Sequence, residues 1–551
     1  MRGHAGYNAD GAGTVTATGG SNEAPGRRGC ATPVGAAWHG GGMDLTGAKV
    51  LAKAGLLTPM RPDRLLGMAL SVARWGLTPA TGYAAGASRH PDRVALIDDE
   101  GPLTYREIDQ RTDRLAGELR ARGVYERDSV GLLARNGRGF VEASVAISKA
   151  GADVLYLNTG SAGGQLAEVL HREGARAVLH DEEFTGLLAP AAAGRIMLTT
   201  EELGSLAASS TLAAPPKTGH VTRLVILTSG TTGAPRGAAR SGASIDDVVS
   251  MLSRIPLRAG EPTFIASPVF HAWGLGHLTM AMLLGSTVIL QKKFDPKRVL
   301  EAVQDHEATA LIVVPVMLDM LLKAEPSAYR LEALKVIASS GSALPGELAT
   351  RVLEAFGPKL YNLYGSTEVA YAAVADPEDL AADPHTAGRP PYGVTLRIVD
   401  DRGEDVPVGT PGRLFVGSGL AFGGYTDGSD KARLGDLIST GDLGVIGPEG
   451  RLTVLGRDDD MVVIGGENVY PGQAEDAMLT HPGVREVCIT AASDPVFGIK
   501  LIAHVVGTAS EQELKELVRD KVARFAVPRE FRYLDMLPRN ATGKVLKREL
   551  G

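Results

Sequence analysis

Cysteine is nearly absent: Cys30 and Cys488 are the two thiols in 551 residues. They allow at most one bridge, so a disulfide-built secreted scaffold is excluded and two reduced thiols in a cytoplasmic protein are expected. No apolar run reaches the roughly 20 residues that span a bilayer. The opening MRGHAGYNAD has no apolar core of the kind a secretory signal carries. An excess of positive charge is also missing. The net charge of -7 gives no reason to expect nucleic acid, whose binders concentrate basic residues. What remains is an ordinary soluble composition, 44% hydrophobic and 22% charged. The length calls for more than one domain and a large core.

Residues 1–42 are rich in Gly, Ala, Ser and Thr without an apolar period. Such a stretch cannot bury enough surface to offset its ordering entropy, so disorder is expected there. Met43 is a candidate start of the folded protein. Between 50 and 75 the pattern turns helical: Leu65, Leu66, Ala69, Leu70 and Ala73 recur at one-face spacing, with Arg64 and Arg74 on the flanks. The plain expectation is a helix whose stripe packs on the main domain. Weak contact with a membrane surface is the alternative, and homodimerisation stays open.

Apolar runs then alternate with helical stretches. VALIDD (94–99) precedes the helix 103–124, where Thr104 and Glu107 form a capping box. VGLLARN, ADVLYLN, LVILTSG, TFIASP, STVILQ, ALIVVP and LKVIASSG read as buried strands. This is the pattern of an α/β protein with largely parallel sheets. Turn-rich 397–418 suggests a small antiparallel section. After 450–462 the composition breaks, and a short α/β segment follows with the helix 511–525.

The strongest local signal is LTSGTTGAPRG (227–237). Thr228, Ser229, Gly230, Thr231, Thr232 and Gly233 give a loop of open N–H groups and hydroxyls that can wrap phosphate oxygens, and Arg236 adds a cation. A solvated linker is the plainer alternative, but the loop follows a strand and ends in Pro235 and a charge. It is not a Walker A loop. No Ser-His-Asp or Cys-His pattern of recognisable spacing accompanies it.

This segment and four others, in order, resemble the adenylate-forming superfamily, which includes acyl-CoA synthetases, beetle luciferases and nonribosomal adenylation domains. The others are YGSTE (364–368), STGDLG (439–444), GRDDDMVVIGGENVYP (456–471) and PRNATGKVLKREL (538–550). YGSTE or TGD alone is weak; the ordered set is specific, and it covers the chain from about residue 85 onward. The resemblance, closest to medium- and long-chain fatty acyl-CoA synthetases, implies a large N-terminal region (43–456), a hinge at 457–460 centred on Asp459, and a small mobile α/β cap (461–551). It implies ATP, Mg²⁺ and coenzyme A as cofactors. A hydrophobic carboxylic acid would become acyl-AMP plus pyrophosphate, then acyl-CoA plus AMP.

The same resemblance assigns residues. Glu368 would coordinate Mg²⁺, a hard cation suited to carboxylate and phosphate oxygens, and Thr367 would meet the α-phosphate. Tyr364, Gly365 and Asn362 would flank adenine beside Gly341, Ser342 and Ala343, which are small enough for a base to approach. Asp442 and Arg457 would hold the ribose. Lys544 would stabilise charge in the first step; Gly465 and Gly466 in the GGEN loop would serve the second. His271 in FHAWGLG (270–276) would sit near the carboxylate and thiol, with Gly274 and Gly276 opening room for a long or bulky acyl group. Taken singly, each of Glu368, Asp442, Lys544 and His271 is more simply a surface or structural residue; the ordered motifs reverse that weighting.

Two departures stand out. Arg236 replaces the family's lysine, and a planar fork is not a point donor. Gln473 replaces a common glutamate, with Glu475 retained. An acyl-AMP ligase loading a carrier protein is an alternative, but Tyr364 and Ser439 stand only 75 positions apart, leaving little room for the insertion such relatives carry. No appended carrier domain is expected beyond Lys544. An aryl or polycyclic acid is equally compatible with the nucleotide motifs. A luciferase-like oxygenase has only the fold in its favour, and a degenerate, non-enzymatic nucleotide binder only Arg236.

Overall fold

A computed structural model describes residues 45–57, 59–76, 78–216, 220–228, 236–240, 244–458, 461–464, 467–494, 498–522, 524–540 and 543–550. The expected disorder of 1–42, the start at Met43 and Cys30 lie outside these residues. Helices α1 (Leu45–Lys53), α2 (Pro62–Trp75) and α3 (Pro79–Arg89) come first.

Two sheets of mainly parallel strands follow, as the alternating runs predict. In one, the order is 196–199, 175–180, 129–133, 153–156, 224–228 and 236–240, parallel except for the last pair. In the other, the order is 373–375, 360–364, 336–339, 310–313, 263–265, 288–289, 94–98 and 101–104, antiparallel only at its two ends. The first strand, 94–98, therefore pairs with 288–289, far along the chain. One core joins the sheets through Leu96, Ile265 and Ile312 on one side and Val130, Val154 and Ile226 on the other. Helix Arg138–Ala150 has every residue from Phe140 to Ala150 buried, as expected of a helix enclosed on all faces. Its Lys149 has a fully buried side chain whose ammonium bonds Asp109 and Asp113 at 2.7 and 2.6 Å.

Helix Tyr105–Ala121 starts on the predicted capping box: Thr104 accepts from Glu107 N–H, and Glu107 accepts from Thr104 N–H. The antiparallel section also holds. Strands 395–399, 412–417, 433–434, 437–446 and 452–457 form one antiparallel sheet. The C-terminal α/β domain has its own core, with Met478, Ile489, Leu501, Val505 and Val518 packed together. Its long strands 484–494 and 498–507 are antiparallel, and 530–533 joins them in parallel. Cys488 is buried there. The helix expected over 511–525 runs from Glu511 to Lys521.

The stripe on α2 is the one clear reversal. Leu65, Leu66 and Leu70 are 58%, 59% and 61% exposed, and Ala69 and Ala73 are exposed with them. The helix instead seats its small residues inward. Ser71 is buried, and a Cβ on Gly67 would strike Ser88 of α3. Arg64 donates to the Arg89 carbonyl at 3.0 Å and Arg74 to the Pro215 carbonyl at 2.8 Å. Close backbone approach at Gly67 and Ser71 has displaced the leucine face. No helix among the described residues is long and apolar enough to cross a membrane.

Candidate active site

Four parallel strands of the second sheet end on one cavity of about 1760 Å³, and Leu227 and Arg236 reach it from the first sheet. Ser267 and Pro268 follow strand 263–265, Val314 and Pro315 follow 310–313, and Ser340 to Ala343 follow 336–339. Ligands bind at the carboxyl ends of such strands because the loops there are free to diverge. Gly341 takes φ +95°, a conformation glycine tolerates, and it lines the cavity beside Ser342 and Ala343.

Strand 360–364 carries Asn362 and Tyr364 two positions apart, and both line the cavity. The Asn362 Oδ1 atom is buried and has no hydrogen-bond partner. A buried acceptor left unmatched is costly, and an exocyclic amine of adenine would satisfy it. The turn after the strand folds tightly on itself. A Cβ on Gly365 would strike the Ala370 carbonyl oxygen, and Ala370 closes the turn at φ +63°. Ser366 Oγ accepts from the N–H groups of Glu368 and Val369. Gly365 is thus needed by the chain's own packing, whatever it offers a base. Thr367 and Glu368 both line the cavity.

Glu368 is largely buried. Burial alone would raise its carboxyl, but the hydroxyls of Tyr425 and Ser366 and the charge of Lys431 outweigh it and hold it below the ordinary range. Tyr425 donates to Oε1 at 2.6 Å. An ionised carboxylate facing the cavity suits Mg²⁺, which takes one or two protein carboxylates and fills its other positions with water and phosphate. No cluster of three or more metal-ligating side chains exists among the described residues.

Tyr425 was not singled out by sequence, since a tyrosine after two glycines has no distinctive pattern. It joins the loop's departure from the family to the carboxylate. The Arg236 guanidinium lies over the Tyr425 ring, 5.5 Å from its centre, and Arg236 Nε is 3.5 Å from Asp427 Oδ2. Arginine can stack and pair in this way where lysine could only pair. Ser229, Gly230, Thr231, Thr232 and Gly233, the side chain of Thr228, Gly465, Gly466 and the proposed hinge centre Asp459 lie outside the described residues.

Asp442 and Arg457 are cross-strand neighbours in the antiparallel sheet, which is why residues so far apart in sequence share one wall. Arg457 Nη1 lies 3.7 Å from Asp442 Oδ1. Burial pushes the Asp442 carboxyl up, against the pull of the Tyr364 hydroxyl and Arg457. The Tyr364 hydroxyl donates to Asp442 Oδ2 at 2.5 Å.

His271, which also lines the cavity, stands at the N-terminal boundary of helix Ala272–Leu284. Burial lowers its pKa to about 4, so the ring is neutral at pH 7 and cannot act as a cation toward a carboxylate. Its Nε2 is buried without a partner and is available as a hydrogen-bonding group. The glycines behind it divide. Gly276 lines the cavity and has open space around its Cβ position. Gly274 does not open the pocket: its Cβ position is blocked by the Pro268 carbonyl, so it serves helix packing.

Lys544 lines the same cavity from the C-terminal domain. It sits on a turn in which Arg539 and Val545 pair across strands. Asn540 Oδ1 accepts from Lys544 N–H, and the Lys544 carbonyl accepts from Asn540 N–H, both at 2.9 Å. Arg539 Nη1 donates to the Gly543 carbonyl at 2.6 Å. Gly543 has φ +80°, and a Cβ there would stand 2.5 Å from Val316 Cγ1 of the large domain. The glycine therefore allows the turn to seat. Gln473 and Glu475 also line the cavity, but Glu475 accepts the Ile489 N–H at 2.6 Å and so ties its helix to the domain's strand.

A cleft at the ends of parallel strands, met by a lysine from a second α/β domain, defines an adenylate-forming enzyme. Residues 83–426 match the AMP-binding enzyme family and 473–544 its C-terminal domain; the chain belongs to that family. It is 31% identical to a feruloyl-CoA synthase from Amycolatopsis, over 84% of this chain and 96% of the relative. It is 28% identical to a fatty acid–acyl-carrier-protein ligase from Streptomyces coeruleorubidus, over 84% and 94%. The o-succinylbenzoate coenzyme A synthetase of Bacillus subtilis, solved with its acyl-adenylate intermediate, superposes with a TM-score of 0.78 at 27% identity, covering 85% of this chain and 97% of that one.

Two outcomes are expected. Tyr425→Phe removes the hydroxyl that holds Glu368 and raises the Mg²⁺ concentration needed for half-maximal pyrophosphate exchange by about tenfold, in a Mg²⁺ titration that also follows MgATP binding by calorimetry. Gly543→Ala displaces Lys544 from the cleft. It slows adenylate formation by about tenfold or more while thiolysis of a preformed adenylate is spared, as read by assaying the two half-reactions separately.

Proposed function

We propose that the chain is an AMP-forming acid–thiol ligase that activates a hydrophobic, most readily an aromatic, carboxylic acid and transfers it to coenzyme A. ATP, Mg²⁺ and coenzyme A are its cofactors. The observation that carries this reading is the meeting of Asn362, Glu368, Asp442 and Lys544 on one cavity that Trp273, His277 and Tyr371 also line.

The acid's carboxylate oxygen attacks the α-phosphorus of ATP, and pyrophosphate leaves. Mg²⁺, bound at Glu368, would neutralise charge on the phosphates. The Lys544 ammonium stabilises negative charge on the phosphoryl oxygens as it builds. Asn362 accepts from the adenine amine, and Asp442 accepts from the ribose hydroxyls once Tyr364 yields that position. The neutral His271 supplies a hydrogen bond rather than a charge. In the second step the thiol sulfur attacks the acyl carbonyl and AMP leaves. Rotation of the C-terminal domain about a joint at 457–460 withdraws Lys544 and brings the 465–468 loop in its place.

The aromatic reading is supported by the rings that line the cavity and by a relative named for feruloyl-CoA. Trp273 is fixed in place, its Nε1 donating to the Val313 carbonyl at 2.9 Å and its ring 4.1 Å from that of His277. A fatty acid is the second reading, favoured by open space at Gly276 and by the fatty acid ligase among the relatives. With a panel of aryl and straight-chain acids, AMP release with and without coenzyme A is expected to be fastest for an aryl acid and to need the thiol for turnover. Faster release with a long-chain acid would replace the first reading by the second. Lys544→Ala is expected to abolish acid-dependent pyrophosphate exchange and spare thiolysis; equal loss of both would contradict the division of labour.

A further inference from the structure

Helix α2 presents its leucines to solvent and its small residues to the protein, the reverse of an ordinary surface helix. Pro62, Leu65, Leu66, Ala69, Leu70 and Ala73 are exposed, and helical spacing puts them on one face. That face carries no charge and no side-chain hydrogen-bonding group. The helix is 14 residues long, so the stripe runs about 20 Å. It lies before residue 83, where the match to the AMP-binding family begins, and none of its residues lines the cavity. Neither catalysis nor the shared fold accounts for it.

We infer that α2 is an interfacial helix that docks this enzyme on an anionic lipid surface. A contiguous exposed apolar face marks an interaction site. Charge selects the occupant. The chain as a whole is acidic, yet residues 45–76 carry Lys49, Lys53, Arg61, Arg64 and Arg74 against a single acid, Asp63. Arg61 stands just before the helix at its exposed start, its side chain 72% in solvent and paired with Asp63 at 3.1 Å. Arg64 and Arg74 flank the stripe and anchor the helix through carbonyl bonds to the body, so the stripe is held outward rather than free to fold in. An apolar face with basic flanks on a rigid mount is the arrangement that inserts at the headgroup boundary of anionic lipid. The inference is independent of which acid is activated.

Vesicle flotation of the full chain tests it, with phosphatidylcholine alone and with phosphatidylglycerol at about a third of the lipid. The protein is expected to float with the anionic vesicles and to be released by salt. Leu66→Ser with Leu70→Ser should lower that partition by about tenfold or more, with acid-dependent pyrophosphate exchange and the thermal melt unchanged because both side chains are exposed. Arg61→Glu should reduce the preference for anionic over neutral vesicles. Failure of the native chain to float with anionic vesicles would overturn the inference. So would equal flotation of the double serine variant. Light scattering that shows a dimer dispersed by the same substitutions, without lipid binding, would assign the face to a second copy instead.

Discussion

The seating of one turn against one helix organises this enzyme. Gly543, in a positive-φ conformation, lets the turn 539–545 approach Val316 more closely than any residue with a Cβ could. Asn540 closes the turn by bonding both the N–H and the carbonyl of Lys544. A flexible lysine thereby gains a fixed backbone origin, and only its side chain remains to be ordered around the phosphoryl group. Fixing the origin of a catalytic cation is worth more than adding contacts to its tip, because misplacement is what electrostatic catalysis tolerates least.

The rest of the cleft is arranged around the charge this lysine must meet. Glu368 is kept ionised although buried, in large part by the hydroxyl of Tyr425, whose ring lies under the guanidinium of Arg236. His271 is kept neutral by its own burial. The substitution of arginine for lysine at the end of the phosphate loop makes sense in this frame, since Arg236 contributes a stack as well as a charge.

Much of this was legible in the sequence. Strand runs such as ALIVVP and LKVIASSG and the Thr104–Glu107 capping box depend on local pattern, and they appear where expected. Strand order was not legible: nothing local tells 94–98 to pair with 288–289. Tyr425 escaped notice because its contact with Glu368 is made across the fold, and Asn540 because its two bonds to Lys544 depend on how a turn closes rather than on residue type. Gly274 misled for a related reason, since a glycine signals close approach without saying to what. Here the neighbour is the Pro268 carbonyl rather than an acyl chain. The α2 stripe has the predicted helical period with the opposite orientation, because Gly67 and Ser71 permit a closer backbone contact with α3 than the leucines could.

A crystal structure of the protein with a non-hydrolysable acyl-adenylate analogue addresses the central claim most directly. The expected result places Lys544 Nζ within hydrogen-bonding distance of the phosphoryl oxygens, Asn362 Oδ1 on the adenine amine and Gly543 still against Val316. An occupied nucleotide site, with residue 544 on an outer face of the C-terminal domain and a different cation at the phosphoryl group, would contradict it.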